Sequence, residues 1–319
     1  MASDHKSTGF FSSARVFSPR VGAHMDPEGV RGYPIDFGFK AESPDWPPAW
    51  MGPRETLLHV ELTQWGLGCF ERYLWGEGES WLAGARAGAD HLVSDQEPGG
   101  AWVHRFPMPH TFPLDPPWLS SMAQGQGASL LTRLHAETGE EAYAEAALRA
   151  LGPFAAPTAA GGVRVELEGG PFFEEYPTEP ASYVLNGGIF ALWGARDVAV
   201  GLGDQSAAAD WERGLDALAR GIGRWDTGRW SLYDLYPALP LRNVASSAYH
   251  LLHIRQLEAN QAIGPRPELA AAAERFRGYM ARRSNRAGSF AHKLAFRLVV
   301  PRNRVLGRRM PWTRGEATA

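Results

Sequence analysis

The 319 residues, 44% of them hydrophobic and 11% aromatic, are enough to bury a large core in one domain. A formal net charge of -3 offers no global attraction to phosphates, so nucleic acid is excluded as an expected partner. With Cys69 as the one cysteine no internal disulfide forms, and with no apolar leader after Met1 and no run of about 18 apolar residues, the expectation is a cytoplasmic protein without signal peptide or membrane span.

In chain order, residues 1–45 read as an irregular N-terminal arm whose patterned piece is Tyr33-Pro34-Ile35-Asp36-Phe37-Gly38. The proline-rich stretch Ser43-Pro44-Asp45-Trp46-Pro47-Pro48 favours extended backbone. From Arg54 to about Leu74, apolar residues at three- and four-residue spacing (Leu57, Leu58, Val60, Leu62, Trp65) predict an amphipathic helix. Seven more helices are predicted at about 81–93, 118–134, 141–151, 181–200, 207–222, 243–258 and 268–282, readable as four hairpins. The connections Glu97–Pro117 and Thr227–Leu241 are long for a plain bundle, and loops on a helical scaffold are where sites sit. Short strands are expected at Val163–Leu167, before Phe172-Phe173, and at Trp230–Leu232, at the rim of the helical domain. The helical domain is thus placed at 46–284, and periodicity alone makes it mainly α.

The remainder, 285–319, is a basic tail. Beyond Ala281 lie ten of the chain's 32 Lys and Arg and only one of its 35 Asp and Glu, Glu316. Phe290, Leu294, Phe296, Leu298 and Val299 interleave with the cations, so a basic amphipathic helix on an anionic membrane surface is one expectation. A solvated tail, or one packed back on the acidic body, is the other.

No dinucleotide fingerprint, P-loop, zinc-protease helix or nucleophile elbow occurs, so no cofactor is expected. His250 and His253 stand three apart on a predicted helix without an acidic or cysteine partner at ligand spacing; hydrogen-bonded histidines are expected, and no metal. Three segments combine acids, tyrosines and turn residues at helix edges: Phe173-Glu174-Glu175-Tyr176-Pro177-Thr178, Ser231-Leu232-Tyr233-Asp234-Leu235 and Tyr249-His250-Leu251-Leu252-His253-Ile254.

Together with Trp118–Gln126, Val184-Leu185-Asn186-Gly187 and Asp226-Thr227-Gly228, these segments resemble, in the same order, the successive motifs of the C-terminal catalytic domain of D-glucuronyl C5-epimerases. The resemblance runs from about Pro98 to Arg286, with an echo at Tyr33–Phe37. It implies an incomplete (α/α) toroid of about four helical hairpins with short β-hairpins at the rim, lacking the β-rich domain that precedes it in animal enzymes. It also implies a polymer containing uronic acid as partner and makes a homodimer an open expectation.

The implied reaction inverts C5 of a uronate. A C5 proton beside a carboxylate is very weakly acidic, so a base must reach it and the developing enolate must be stabilised by positive or donor groups. Inversion requires proton exchange at both faces, hence two groups. Similarity to the family points to Glu175, Tyr176, Tyr233 and Tyr249 as catalytic, with Glu175 and Tyr249 as the opposed pair and the other two tyrosines placing or relaying protons. Gln124, Gln126, Asn186 and His253 are the expected substrate-binding residues within the motifs; Gln124 and Gln126 do not share a helix face, so if both bind sugar hydroxyls they are expected in the turn before the helix, the alternative being that Gln124 caps that helix and packs against the next hairpin. Family members commonly carry an arginine directly after Tyr-Asp-Leu, where Tyr236 stands here. Arg105, Arg242 or His104 are the candidate substitutes as the carboxylate clamp.

Three other functions are compatible with these residues. A uronate polysaccharide lyase begins with the same proton abstraction and then expels the C4 oxygen. A non-catalytic glycan-binding protein would not exchange protons. A glycosidase would need two carboxyls across the sugar, and Glu174, Glu175 and Asp234 are available.

Overall fold

Residues 18–107, 111, 112 and 114–300 are described in the computed structural model; residues 1–17 of the arm and the basic tail from Pro301 lie outside the described residues. The apolar spacings form four helical hairpins: α1 (His59–Leu74) with α2 (Glu79–Asp95), α3 (Ser121–Thr138) with α4 (Glu141–Ala150), α5 (Leu185–Leu202) with α6 (Gln205–Gly221), and α7 (Ser247–Ile263) with α8 (Pro267–Ala281). The first helix of each hairpin packs on the first helix of the next, in the series α1, α3, α5, α7. The first 14 residues of α3 and of α5, the middle helices of the inner layer, are buried without interruption, whereas α4, α6 and α8 bury one face and expose the other. Inner and outer layers wrapped in an arc make an incomplete (α/α) toroid.

Several helices begin later than their apolar pattern suggests. The Ser120 hydroxyl accepts the Ala123 amide and the Ser246 hydroxyl accepts the Tyr249 amide, so α3 and α7 start at those caps while the residues before them stay extended. At Arg54 the chain makes only a 3-10 turn to Thr56 before α1. The expected rim hairpin is present as β1 (Arg164–Leu167) and β2 (Gly170–Phe173), antiparallel. Glu168 and Gly169 both take positive φ in its two-residue turn. The strand expected at Trp230–Leu232 is reduced to isolated bridges, Asp226 with Ser231 and Leu232 with Val244.

The arm is irregular but not loose. Tyr33, Ile35 and Phe37 are buried at alternate positions, Tyr33 stacking on Phe190 and meeting the edge of Trp193 from α5. Arg133 of α3 holds it: the guanidinium sits over the Tyr33 ring, donates to the Gly32 carbonyl and pairs with buried Asp197 at 2.6 Å. Arg196 donates to the Pro27 and Gly29 carbonyls. Truncating Arg133 removes one of the two guanidiniums on buried Asp197, leaving Arg196 at 3.2 Å, and leaves the Gly32 carbonyl without this donor. Arg133→Ala is therefore expected to lower the unfolding free energy by roughly 2–3 kcal/mol in chemical denaturation.

Beyond α8 the chain continues as α9 (Arg283–Val299), which packs on α7 and α8. Among the described residues no helix is long and apolar enough to cross a membrane.

Candidate active site

The inner helices all begin at one end of the arc, and a chain of contacts links those starts. His59, first in α1, touches His104 at 3.4 Å; His104 stacks on Trp118 at 4.1 Å, just before α3. Ser121, first in α3, donates its amide to the Glu174 carbonyl and its hydroxyl to the Phe173 carbonyl. The amide of Leu185, first in α5, donates to the Tyr233 carbonyl, and the Tyr233 ring meets that of Tyr249, in the first turn of α7, edge to face at 4.9 Å. Four helix N-termini thus surround one region, each presenting partial positive charge.

Strand β2 delivers the acids into it. Phe173 is fixed by stacking on Phe154 at 4.1 Å and Phe172 by stacking on Trp225, so the two residues that follow are aimed without freedom. Glu174 turns away from any ligand: its carboxylate accepts the amides of Ser182 and Tyr183, both at 2.8 Å, and the Ser182 hydroxyl. It staples the loop before α5. Glu175 faces the first turn of α5, with Asn186 Nδ2 3.5 Å from Oε2. A Cβ on Gly187 would stand 2.3 Å from that same oxygen, so the glycine of the Asn186-Gly187 pair is what admits the carboxylate.

Glu175, Tyr176, Tyr233 and Tyr249 come together. The Tyr176 phenol lies close enough to the Glu175 carboxylate and to Tyr233 for each to act on its titration. Burial pushes the Glu175 carboxyl up to about 7, opposed by the Tyr176 hydrogen bond and reinforced by Glu174. The phenols of Tyr176 and Tyr233 are raised well above 10, first by burial and then by the charge of Glu175. At neutral pH the cluster therefore holds a carboxyl poised to gain or lose a proton beside protonated phenols.

Asp234 lies behind Tyr233, accepting the Tyr236 amide at 3.0 Å and the Asn243 side-chain amide; burial raises its carboxyl to about 7. Lys293, reaching back from α9, donates to Asn243 Oδ1 at 2.6 Å and the Val244 carbonyl at 2.9 Å, with its ammonium 5.7 Å from the centre of the Tyr233 ring. This cation beside the tyrosines was not anticipated. Its sequence signal was hidden because it sits in the tail, far along the chain from every motif.

The remaining expected residues are more scattered. Gln124 and Gln126 lie inside α3 and not in the turn before it, a correction that follows from the Ser120 cap. Gln124 is committed to backbone, accepting the Trp102 amide and donating to the Gly100 and Ala150 carbonyls. Gln126 accepts from Gln64 across to α1. Asn186 is buried beside Glu175. His253 shares the Ser231 hydroxyl with His250, both at 2.8 Å, and burial holds it well below its ordinary range, hence neutral. Among the described residues no group of three His, Cys, Asp or Glu could hold a metal.

Of the candidate clamps, Arg105 pairs with Glu97 at the surface. Arg242 is exposed, its carbonyl accepting from His292. His104 is fully buried and pushed down to about 3, so it carries no charge at neutral pH. Tyr236, in place of the expected arginine, is buried and joins an aromatic wall: it meets Phe112 at 5.3 Å, Phe112 meets Tyr176 at 5.6 Å, and Tyr176 meets Trp118 at 6.4 Å.

The other side of Trp118 opens on a cleft of about 420 Å³ lined by Glu97, Val103, Leu114, Asp115, Leu119 and Pro177 among others. Glu175, Tyr233 and Tyr249 are not among its lining residues, so the cleft adjoins the tyrosine cluster across Trp118 and Tyr176 without containing it.

Residues 96–278 match the protein family described as D-glucuronyl C5-epimerase C-terminus. A D-glucuronyl C5-epimerase of Caenorhabditis elegans is 35% identical over 210 residues, covering 60% of this chain and 34% of that one. An uncharacterized protein of Methanocaldococcus jannaschii is 29% identical over 137 residues, covering 42% of this chain and 44% of its own length. The chain thus spans less than half the length of either relative. Among solved structures, an unsaturated glucuronyl hydrolase from Bacillus sp. GL1 superposes with a TM-score of 0.45 at 17% identity, over 72% of this chain and 61% of that chain.

Proposed function

The chain belongs to the D-glucuronyl C5-epimerase family through its C-terminal domain, and on that premise we propose that it is a polysaccharide uronate C5-epimerase interconverting D-glucuronate and L-iduronate units. The observation that carries this reading is the buried Glu175 beside the clustered Tyr176, Tyr233 and Tyr249 where the inner helices begin. Glu175, ionised, removes the C5 proton; the electron pair left behind delocalises into the uronate carboxylate as an enolate. Tyr249 then gives its phenolic proton to C5 from the opposite face and is left as phenolate. The succession of Glu175, Tyr176 and Tyr233 offers a path by which the captured proton returns towards Tyr249, and the reverse reaction uses the same groups in reversed roles. Positive helix ends, with Lys293 behind Tyr233, supply the favourable electrostatics that a doubly charged enolate demands.

The geometry gives less to the glycosidase reading, because Glu174 and Asp234 are spent on backbone and Asn243 contacts and leave Glu175 as the one acid in the cluster. A lyase shares the first step. Incubation with a glucuronate-containing polymer such as heparosan distinguishes them. Iduronate signals in the NMR spectrum without new ultraviolet absorbance support the epimerase; absorbance from a C4–C5 double bond supports the lyase.

The raised carboxyl fixes the expected pH dependence. Glu175 must be ionised to act as base, so kcat/KM in the glucuronate direction is expected to climb as pH rises towards about 7 and to level off above it. Stability runs the other way. Glu174, Glu175 and Asp234 each have a folded value of about 7, above the unfolded value of about 4. The native state therefore binds extra protons between those limits. The contribution of these three carboxyls is full below pH about 4 and declines through pH about 7; buried neutral His104, His250 and His253 act in the opposite sense as pH falls below about 6.5, so the carboxyl effect is read from the difference between wild type and Glu175→Gln in denaturant melts at pH 5 and pH 8.

A further inference from the structure

Helix α9 has two faces of opposite character. The inner face is fixed to the body: Phe296 is fully buried, His292 Nε2 meets the Arg242 carbonyl at 2.8 Å, Lys293 holds Asn243 and Val244, and Arg297 donates to Thr111 at 2.9 Å. On the outer face Phe290, Leu294 and Leu298 are 71%, 55% and 77% exposed. Four-residue steps advance about 40° around a helix, so the three form one slanting stripe about 12 Å long. By the same spacing the exposed Arg283 and Arg286 continue along it towards the start of the helix.

The charges give the stripe a direction. From Arg283 to Val299 there are four Arg and Lys and no acid, and Arg302, Arg304, Arg308, Arg309 and Arg314 follow in the sequence before Glu316. The chain beyond Ala281 carries nine net positive charges, against twelve net negative charges on the rest. Stretches of like charge attract any polyanion, but an acidic polysaccharide offers nothing apolar to cover a phenylalanine and two leucines. An anionic bilayer offers both headgroup charge and hydrocarbon. The chain's own acidic body does not serve either, because the stripe stays exposed while the helix is already docked on it.

We propose that α9 is a membrane-surface helix, binding an anionic lipid leaflet through Phe290, Leu294 and Leu298 with Arg283 and Arg286 at the headgroups. Because its inner face touches Asn243 and Val244 beside Tyr233, lipid binding holds the inner-helix end of the domain next to the bilayer. The proposal is independent of the reaction at that end.

The test is co-sedimentation of the full chain with vesicles of phosphatidylcholine alone or mixed with phosphatidylglycerol, repeated with a soluble polyuronate as competitor. Two variants accompany it: Phe290→Ser/Leu294→Ser/Leu298→Ser, and Arg283→Gln/Arg286→Gln. All five side chains lie on the exposed face, and circular dichroism reads whether the fold survives. The expected result is binding to the mixed vesicles only, weakened at least tenfold by the serine variant and reduced by the glutamine variant. No vesicle binding, or binding that the serine variant leaves unchanged, overturns the proposal. So does a wild-type dimer that the serine variant dissolves in sedimentation velocity without any lipid binding, which would make the stripe an interface between copies.

Discussion

Glu175→Gln is expected to abolish proton removal from C5 of glucuronate while leaving the fold intact, with kcat lowered by roughly 10²–10⁴ and KM little changed. Glutamine has the shape of the carboxylate it replaces and fits the space that Gly187 leaves beside it. It can still accept the Tyr176 hydroxyl, so the tyrosine cluster keeps its geometry. What it loses is a base that burial has strengthened to match neutral pH. Removal of that carboxyl also removes its opposition to folding above pH 7. The variant is therefore expected to be at least as stable as wild type at pH 8, an outcome that a merely structural role for Glu175 would not give. Retention of a tenth or more of the wild-type exchange rate would place the base elsewhere.

Tyr249→Phe is expected to separate exchange from inversion. Phenylalanine keeps the edge-to-face contact with Tyr233 and deletes only the hydroxyl that gives a proton to the second face. Glu175 still removes the C5 proton and returns one to the face it came from. In deuterated water the variant should wash deuterium into glucuronate while iduronate formation falls by roughly 10²–10⁴. Equal loss of both processes would make Tyr249 a positioning residue and not the second acid. The polarity of the pair follows from the surroundings: the tyrosines face Glu175 and one another, which keeps Tyr176 and Tyr233 protonated and suits the cluster to donation.

The helical hairpins were legible because amphipathic spacing survives wherever a helix buries one face, and the eight expected segments correspond to α1–α8. Their starts were less legible. Ser120 and Ser246 set them through side-chain caps that lie outside the apolar pattern. The closing of hairpins into an arc was not readable from periodicity at all, since it depends on which face of α3 meets α5; it came through the family resemblance. The burial of the arm had a signal in the alternation of Tyr33, Ile35 and Phe37, but the partners that make it core, Phe190, Trp193 and Arg133, lie some hundred residues or more away along the chain.

At the site, the acids and tyrosines were readable only as a set of ordered motifs. Nothing local distinguishes Glu175 from Glu174, yet one faces Asn186 and Tyr176 while the other is tied to the amides of Ser182 and Tyr183. Gln124 illustrates the converse: a polar residue in a matching motif whose amide is used up holding Gly100, Trp102 and Ala150 together. Lys293 was invisible for a third reason, because α9 folds back and brings the tail's cation to Asn243 and Tyr233.

The most direct test of the central claim is NMR of a glucuronate polymer incubated with the wild-type protein in deuterated water. Proton abstraction by Glu175 and reprotonation through Tyr249 predict deuterium at C5 of the iduronate formed and, as the reaction reverses, at C5 of the remaining glucuronate. Iduronate that retains its C5 proton, or a polymer bound by the protein yet free of deuterium at C5, would contradict it.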